Sequence, residues 1–281
     1  MTVAIVTDSG SDLTSAQLAE HGIRQVPLSV SFADQTYLSP DELAPEAFWD
    51  RMRSPDCPFP HTAAPSVGQF KQTFEKAFAD GYEGVVCVCM SEGISGTVNH
   101  ARMAAEMLPG KAISIVDSRS ASVGVGAVAM RGAALAASRA SAGEIESQLT
   151  KLRDRVDLYV GLDTLEFLRK GGRIGHARAA IGGLLSIKPI VTMTDGIVVV
   201  AEQQRTRSKT TERVIELLSE RALEELHVLY SPPADPAVFL EAILARLPAP
   251  APRLVTAQII GPVIGAHIGP GAYGAIRVLA D

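Results

Sequence analysis

Short apolar runs alternate with amphipathic segments along the first 156 residues of the chain. Short β-type runs, rich in apolar and β-branched residues, predict strands at 3–6, 26–32, 85–88 and 112–116. Apolar residues at helical spacing, with serine, proline or glycine near the ends, predict helices up to about residue 22 and at 65–80, 95–108 and 122–138. Because strands alternate with helices, we expect an α/β fold whose mostly parallel sheet is covered on both faces.

The second half of the chain has a different pattern. Thr194-Asp195-Gly196 separates two β-type runs, 187–193 and 197–201, and predicts a hairpin. Further strands are predicted near 158–162, 226–230, 253–260 and 275–279, with helices near 208–222 and 236–247. We therefore predict two α/β domains, residues 1–156 with a parallel sheet and residues 157–281 with a mixed or antiparallel sheet.

Residues 254–276 lack charged side chains and could be mistaken for a membrane helix. Gly261, Gly265 and Gly269 even repeat at a spacing found in membrane helices. Pro262 and Pro270 oppose a continuous helix, so this segment is predicted as strand, loop and strand. The first residues also lack the basic and apolar regions of a signal peptide, and we expect a soluble cytoplasmic protein.

Charge and cysteine content exclude several function classes. The net charge is −5, and the chain has no basic recognition helix, so general attraction to nucleic acid or gene regulation is not expected. Cys57, Cys87 and Cys89 have neither disulfide-framework nor zinc-site spacing, and they suit a reducing compartment. No metal or cofactor is expected.

Three loops that follow predicted parallel strands are rich in hydroxyls and small residues. They lie at residues 7–11, 91–97 and 117–120. Each can be explained alone as a helix cap, because Ser and Asp satisfy free N–H groups there. Since ligands bind at the carboxyl ends of strands in open α/β sheets, three such loops on one edge favour a binding site.

The loop around Ser95 has the clearest anion-binding pattern. Ser95, Gly93 and Gly96 at a helix start can present a hydroxyl and backbone N–H groups to an anion. A serine hydrolase elbow needs glycines two residues on either side of the serine, and here Gly96 comes one place too early. A Walker motif is absent, and Gly124 and Gly126 are interpreted as close helix packing.

Thr62 and His267 are further candidates for binding an anion, and each also has a purely structural explanation. Thr62 precedes a predicted helix and could be an ordinary loop threonine. His267 lies among glycines and apolar residues, where it could meet a carboxylate or be satisfied by backbone. Basic residues cluster at 169–173 and 205–209, and they indicate either phosphate or partner recognition or a solvated surface.

Taken in order, these motifs resemble the DegV family over essentially the whole chain. Seven segments carry the resemblance. They are Thr7-Asp8-Ser9, Thr62-x-x-Pro65-Ser66, Gly93-Ile94-Ser95-Gly96-Thr97, Asp117-Ser118-Arg119, Leu168-Arg169-Lys170-Gly171-Gly172-Arg173-Ile174, Lys188-Pro189-Ile190 and Gly261-Pro262-Val263-Ile264-Gly265-x-His267-x-Gly269-Pro270-Gly271.

The resemblance implies a non-enzymatic protein that holds a long-chain fatty acid in a tunnel between two α/β domains. It also implies a separate ATP-dependent fatty acid kinase as partner, which converts the carboxylate to an acyl phosphate. Transient membrane contact is compatible with this role. Thr62, Ser95, Gly96 and His267 would hold the carboxylate. Arg173 and Arg205 would face the kinase or the new phosphate.

Two departures and one alternative accompany the resemblance. Ala63 and Val98 stand where the family often has serine and tyrosine. Residues 122–138 and 177–187 could form tunnel walls or plain core. The alternative function is a phosphotransferase subunit related to dihydroxyacetone kinases, acting on a small polar substrate.

Overall fold

The structure is a computed structural model that describes residues 2–175 and 187–280. A parallel sheet forms its N-terminal part, with the strand order β2-β1-β6-β7. These strands are β1 (Val3–Asp8), β2 (Arg24–Val26), β6 (Gly84–Cys89) and β7 (Ala112–Asp117). Every residue of β1 and β6 is buried, which explains why residues 3–6 of β1 and 85–89 of β6 are all apolar. The predicted parallel sheet is confirmed.

A small antiparallel sheet packs beside the parallel one, with the order β4-β3-β5. Its strands are β3 (Leu28–Phe32), β4 (Gln35–Ser39) and β5 (Pro60–Ala63). The sequence pattern predicted one strand over 26–32, which was wrong. Pro27 lies between β2 and β3, and the two strands belong to different sheets. Proline has no N–H to donate, so it suits this break between ladders.

The third sheet is mixed and contains six strands in the order β10-β9-β8-β13-β11-β12. They are β8 (Val156–Gly161), β9 (Lys188–Thr194), β10 (Ile197–Gln204), β11 (Leu223–Tyr230), β12 (Leu254–Ile259) and β13 (Tyr273–Leu279). Asp195 and Gly196 adopt positive φ angles of 51° and 76° between β9 and β10, which confirms the predicted hairpin.

The helices cover these sheets. They are α1 (Ser15–His21), α2 (Pro45–Met52), α3 (Val67–Ala79), α4 (Thr97–Glu106), α5 (Val123–Ala137), α6 (Ala142–Leu152), α7 (Glu166–Lys170), α8 (Arg207–Ser219), α9 (Pro236–Leu244) and α10 (Pro262–Ile268). In the parallel sheet, α3 and α4 cover one face while α5 and α6 cover the other.

Local sequence explains the start of α3 and the close packing of α5. The Ser66 hydroxyl accepts a hydrogen bond from the backbone N of Gln69, and the Gln69 side-chain oxygen accepts one from the backbone N of Ser66, so α3 starts with a capping box. Gly126 lets α5 approach the loop after β1, because an added Cβ would lie 2.8 Å from Leu13 and 3.0 Å from the carbonyl oxygen of Ser11. Gly126 therefore serves close packing, as interpreted from the sequence.

One helix corrects the sequence interpretation directly. Residues between β12 and β13 were predicted as a loop, but Pro262–Ile268 form α10. Pro262 occupies the first turn of this helix, where its missing N–H costs nothing. Thr62 was likewise considered as a loop residue, whereas it lies in β5 and pairs with Val30.

The two halves of the chain share one hydrophobic core. Ile5 and Val86 from the parallel sheet belong to the same buried cluster as Leu158 and Ile276 from the mixed sheet. All strands of the mixed sheet follow residue 155. The domain division at residue 156 agrees with that change of sheet but stays a prediction, because the core is continuous across it.

Polar contacts also join the halves. The Trp49 indole of α2 donates a hydrogen bond to the carbonyl oxygen of Ile260, at 2.7 Å. Arg131 of α5 pairs with Glu224 at 2.6 Å and with Glu225 at 3.2 Å, both in β11. These contacts fix α10 and the mixed sheet against the N-terminal layers.

Candidate functional site

Ser95 lies in the loop between the carboxyl end of β6 and the start of α4. Its hydroxyl oxygen lies 2.6 Å from the Thr97 hydroxyl oxygen and accepts a 3.3 Å hydrogen bond from the Thr97 backbone N. Gly96 is the N-cap of α4 and, as a glycine, supplies no capping side chain; the Ser95 hydroxyl accepts from the N–H of Thr97, the first residue of the helix. The helix start is therefore open to an anion, aided by the helix dipole.

Asp8 holds the end of β6 to the end of β1. Its carboxylate accepts hydrogen bonds from the backbone N atoms of Met90 and Gly10, each at 2.8 Å. Burial raises the pKa of Asp8 to about 6, although both hydrogen bonds oppose this shift. Because Met90 precedes the Ser91–Thr97 loop, Asp8 fixes the position from which that loop departs.

Thr62 and His267 meet across the core although 205 residues separate them in sequence. The Thr62 hydroxyl oxygen of β5 lies 2.8 Å from Nε2 of His267, in the last turn of α10. This contact joins the small antiparallel sheet to α10. The structure thus places in direct contact two residues that the family resemblance nominated together and that no local sequence pattern connects.

The environment of His267 keeps its ring neutral. Burial, followed by the nearby Arg173 and His61, lowers the pKa of His267 to about 4. Gly171 packs directly against the ring, because an added Cβ would lie 2.3 Å from Nδ1. Nδ1 is buried and has no hydrogen-bond partner in the part of the chain that the structure describes. At pH 7 the ring can donate one hydrogen bond and accept another.

Arg173 supplies positive charge beside these residues. Its Nε donates to the carbonyl oxygen of Ile94 at 3.1 Å, and Nη1 donates to the carbonyl oxygen of Gly171 at 2.8 Å. These bonds hold the guanidinium between the Ser95 loop and the glycine turn after α7. Gly172 completes that predicted turn with a φ of 73°.

A narrow cavity has these polar residues at one end. Its volume is about 70 Å3, and Thr62, Ser95, Arg173 and His267 all line it. A second cavity of about 70 Å3 adjoins it and has an apolar surface. Both cavities are lined by the same five residues where they adjoin, which are Ala121, Leu168, Val198, Ile264 and Ile268.

The far cavity completes the apolar part of the channel. Its lining includes Leu158, Val160, Val191, Leu229 and Ile276, which belong to strands of the mixed sheet. The two cavities form a slender channel with a polar end near His267. Such a shape suits a long apolar chain that carries one polar group.

A wider opening lies on the other side of Ser95 and Arg173. It has a volume of about 310 Å3 and is lined by Gly93, Gly96, Gly172 and Gly175 besides these two residues and two isoleucines. The lining glycines leave backbone groups accessible. The polar end of the channel therefore faces the protein surface through a small-residue opening.

Arg205 is not brought to this cluster. It is exposed between β10 and α8, and it lines neither the channel nor the opening. Two other basic residues, Lys188 and Arg207, pair with Asp163 at 2.8 and 3.2 Å.

Of the two segments predicted as possible tunnel walls, 122–138 contributes Ser122 to the lining of the far cavity. Residues 177–186 of the other segment, 177–187, lie outside the described residues.

Sequence reasoning missed most of the channel lining. Val263, Ile264, His267 and Ile268 all line the first cavity from α10. Their spacing is that of one helix face, and Pro262 marks a helix start, so this signal was present in the sequence. The strand residues of the far cavity carry no comparable signal, because buried apolar residues are normally plain core.

The polar arrangement does not support nucleophilic catalysis by Ser95. The hydrogen-bond partner of its hydroxyl is Thr97, and the partner of the His267 ring is Thr62. Across the described ranges, no group of His, Cys, Asp or Glu side chains could hold a metal ion. None of the helices described here is both long and apolar enough to cross a membrane.

The fold is an α/β architecture with a slender internal channel that has polar side chains at one end. Residues 2–279 match the DegV family, whose description calls its members uncharacterised. The chain belongs to the DegV family. A DegV domain-containing protein of Listeria monocytogenes is 32% identical over 278 residues, covering 97% of this chain and 96% of that one.

Solved structures agree with this assignment. A DegV family protein from Thermus thermophilus, described by its fatty acid binding, has a TM-score of 0.89 and 32% identity, with 100% of both chains covered. DegV from Bacillus subtilis, described as a fatty acid binding protein, has a TM-score of 0.88 and 29% identity over 100% of both chains. A stearic acid-binding protein from Eubacterium ventriosum has a TM-score of 0.85 and 26% identity, covering 99% of this chain and 98% of its own.

Titration of His267 should make its contribution to stability depend on pH. An unfolded histidine protonates near pH 6.5, whereas burial lowers the pKa of His267 to about 4 in the folded protein. As pH falls from 8 to 5, the unfolded chain gains a proton that the folded protein does not. The stability advantage of the wild type over His267→Gln should therefore shrink by on the order of 1–2 kcal/mol, measured by urea unfolding of ligand-free protein.

Thr62→Val provides the matched control, because it keeps the histidine. Its stability relative to the wild type should change little over the same pH range. A constant difference between the wild type and His267→Gln from pH 8 to pH 5 would show that the ring is not held neutral.

Proposed function

We propose that this protein binds a long-chain fatty acid, with the acyl chain in the channel and the carboxylate at Thr62, Ser95, Gly96 and His267. The observation that carries the proposal is the shape of the channel. An apolar cavity continues into a second one that ends at two hydroxyls, an imidazole and a guanidinium. The fatty acid binding described for solved family members supports the same ligand.

The apolar part of the channel supplies the affinity. Removing a sixteen-carbon chain from water is worth roughly 11 kcal/mol, at about 0.8 kcal/mol per methylene. A bilayer offers the acyl chain the same gain. The free energy of the chain in the channel therefore has to be as favourable as in a membrane, and not merely more favourable than in water. Its surface beyond Leu168 is apolar, as this competition requires. Because the cavities are narrow, their lining side chains have to part as the ligand enters.

The polar end then replaces the water that the carboxylate loses. An unpaired anion in an apolar site would cost several kcal/mol. The Thr62 and Ser95 hydroxyls, the N–H groups at the Gly96 helix start and the His267 ring can each donate to it. Arg173 adds the positive charge that the neutral His267 ring lacks.

We further propose that a separate ATP-dependent fatty acid kinase phosphorylates the bound carboxylate, so that this protein itself performs no catalysis. The opening beside Ser95 and Arg173 supports this proposal, because it would give a partner access to the carboxylate end. Arg173 would meet the new phosphate, and the exposed Arg205 would meet the kinase. We place the protein in the cytoplasm, with transient membrane contact when the ligand is exchanged.

Loss of the carboxylate donors should empty the channel. We expect purified wild-type protein to release an equimolar amount of fatty acid when denatured in organic solvent, as quantified by mass spectrometry. Ser95→Ala and His267→Gln should each retain about tenfold less after washing with lipid-free vesicles, because a hydrogen bond to a charged group is lost.

Ser54→Ala is the matched control. Ser54 is exposed, and its hydroxyl has no hydrogen-bond partner among the residues described, so lipid content should match the wild type. Wild-type levels of lipid in both site variants would refute the site assignment. A wild-type protein that neither contains nor takes up fatty acid would refute the binding function.

Arg205 should affect turnover without affecting lipid content. Arg205→Gln removes an exposed charge that lies outside the channel, so the bound fatty acid should remain. Acyl phosphate formation with a fatty acid kinase and ATP, measured as hydroxamate, should fall about tenfold if the charge pairs with the kinase.

Arg221→Gln is the control for that measurement. Arg221 is exposed just beyond the opposite end of α8, about 20 Å away along a helix that rises about 1.5 Å per residue. Its loss should leave turnover unchanged. Equal turnover in both variants would remove Arg205 from the proposed interface.

A further inference from the structure

A separate and larger cavity lies outside the channel. Its volume is about 480 Å3, and it shares no lining residue with the channel or its opening. Its walls come from the loop between β1 and α1, from β2, from the stretch between the end of β4 and the start of α2, and from the stretch between the end of β12 and the start of α10. Nothing in the proposed function uses this cavity.

Its inner wall holds polar groups without partners. Ser39 is only 1% exposed, and its hydroxyl makes no hydrogen bond within the described ranges. Nε2 of Gln25 is also buried and unpartnered. Ser9 is 4% exposed, and its hydroxyl oxygen accepts a 2.9 Å bond from the backbone N of Leu28, which leaves its own hydrogen free to donate.

Buried donors without a hydrogen-bond partner destabilise the folded protein, so their presence on a cavity wall points to a ligand that would pair with them. Buried polar groups in folded proteins almost always have a partner. Three donors on one cavity wall would be satisfied together by a ligand that carries several acceptor oxygens. Hydroxyl groups are such acceptors, and they can donate in return to the side-chain oxygen of Gln258, which also lines the cavity.

The rim of the cavity is negatively charged. Asp41 and Glu46 are exposed there, and neither forms an ion pair within the part of the chain described. Asp12 lies in the wall, where its carboxylate accepts a 2.5 Å hydrogen bond from Ser122. The cavity has no lining Lys, Arg or His among the described residues. An anionic ligand is therefore disfavoured, and a cationic group is favoured.

We propose that this cavity binds a small hydroxylated amine, with the chemistry of an amino sugar or an amino alcohol. The ammonium group pairs with Asp41 and Glu46 at the rim. The hydroxyl oxygens accept hydrogen bonds from Ser39, Gln25 and Ser9 on the inner wall. This arrangement satisfies both the free donors and the unpaired carboxylates, which neither a simple polyol nor a simple amine does.

Isothermal titration calorimetry of the full chain with glucosamine tests the proposal. Saturable binding with one site per chain is expected at pH 7. Glucose keeps the hydroxyls without the ammonium, and N-acetylglucosamine removes the charge, so each should bind about tenfold more weakly. An absence of saturable glucosamine binding, or equal binding of glucose, would overturn the proposal.

Variants separate the two walls of the site. Asp41→Asn with Glu46→Gln, at the exposed rim, should weaken glucosamine binding about tenfold and leave glucose binding unchanged. Ser39→Ala should weaken both ligands, and its melting temperature should not fall, because it removes an unpaired buried hydroxyl.

Glu20→Gln is the matched control, since Glu20 is an exposed carboxylate on α1 that does not line the cavity. It should bind glucosamine as the wild type does. Wild-type affinity in the rim variant, or an equal loss in Glu20→Gln, would overturn the assigned contacts.

Discussion

The close packing of α10 is the constraint on which the rest of the site depends. At Gly265 an added Cβ would lie 2.7 Å from Phe48 and 2.8 Å from Trp49, so this helix can approach α2 only without a side chain there. On its other side, Gly171 leaves room for the His267 ring. Ile264 and Ile268 of the same helix line the channel. One short element thus fixes both the polar end and part of the apolar wall, and a small displacement of it would change both.

Burial has two opposing effects at the polar end. It favours the apolar chain of a ligand, but it also lowers the pKa of His267 to about 4 and leaves the ring uncharged at neutral pH. In the proposed complex the carboxylate is therefore held mainly by hydrogen bonds, with Arg173 as the neighbouring charge. A carboxylate beside the ring would in turn favour the imidazolium. Ligand binding and protonation of His267 are consequently linked, and each would strengthen the other.

Sequence patterns predicted the elements whose signals are local. The uninterrupted apolar runs of β1 and β6 predicted a buried parallel sheet, and Thr194-Asp195-Gly196 predicted the hairpin. The order of the motifs nominated Thr62, Ser95 and His267 together. Sequence patterns did not predict α10, because the glycines and prolines around it are typical of loops. The position of this helix depends on Phe48 and Trp49, which are far away in sequence. The channel was also beyond local patterns, since Leu158, Val191 and Ile276 look like ordinary core residues until the fold brings them together.

The position of a bound acyl chain decides whether the channel is a fatty acid site. A crystal structure of the protein with a long-chain fatty acid that carries bromine on its terminal carbon would locate both ends of the ligand, the bromine by its anomalous scattering. Bromine is expected among Val191, Leu229 and Ile276, with the carboxylate within hydrogen-bond distance of Ser95 and Thr62. A carboxylate far from these residues, or a bromine peak outside the far cavity, would show that the fatty acid does not occupy this channel.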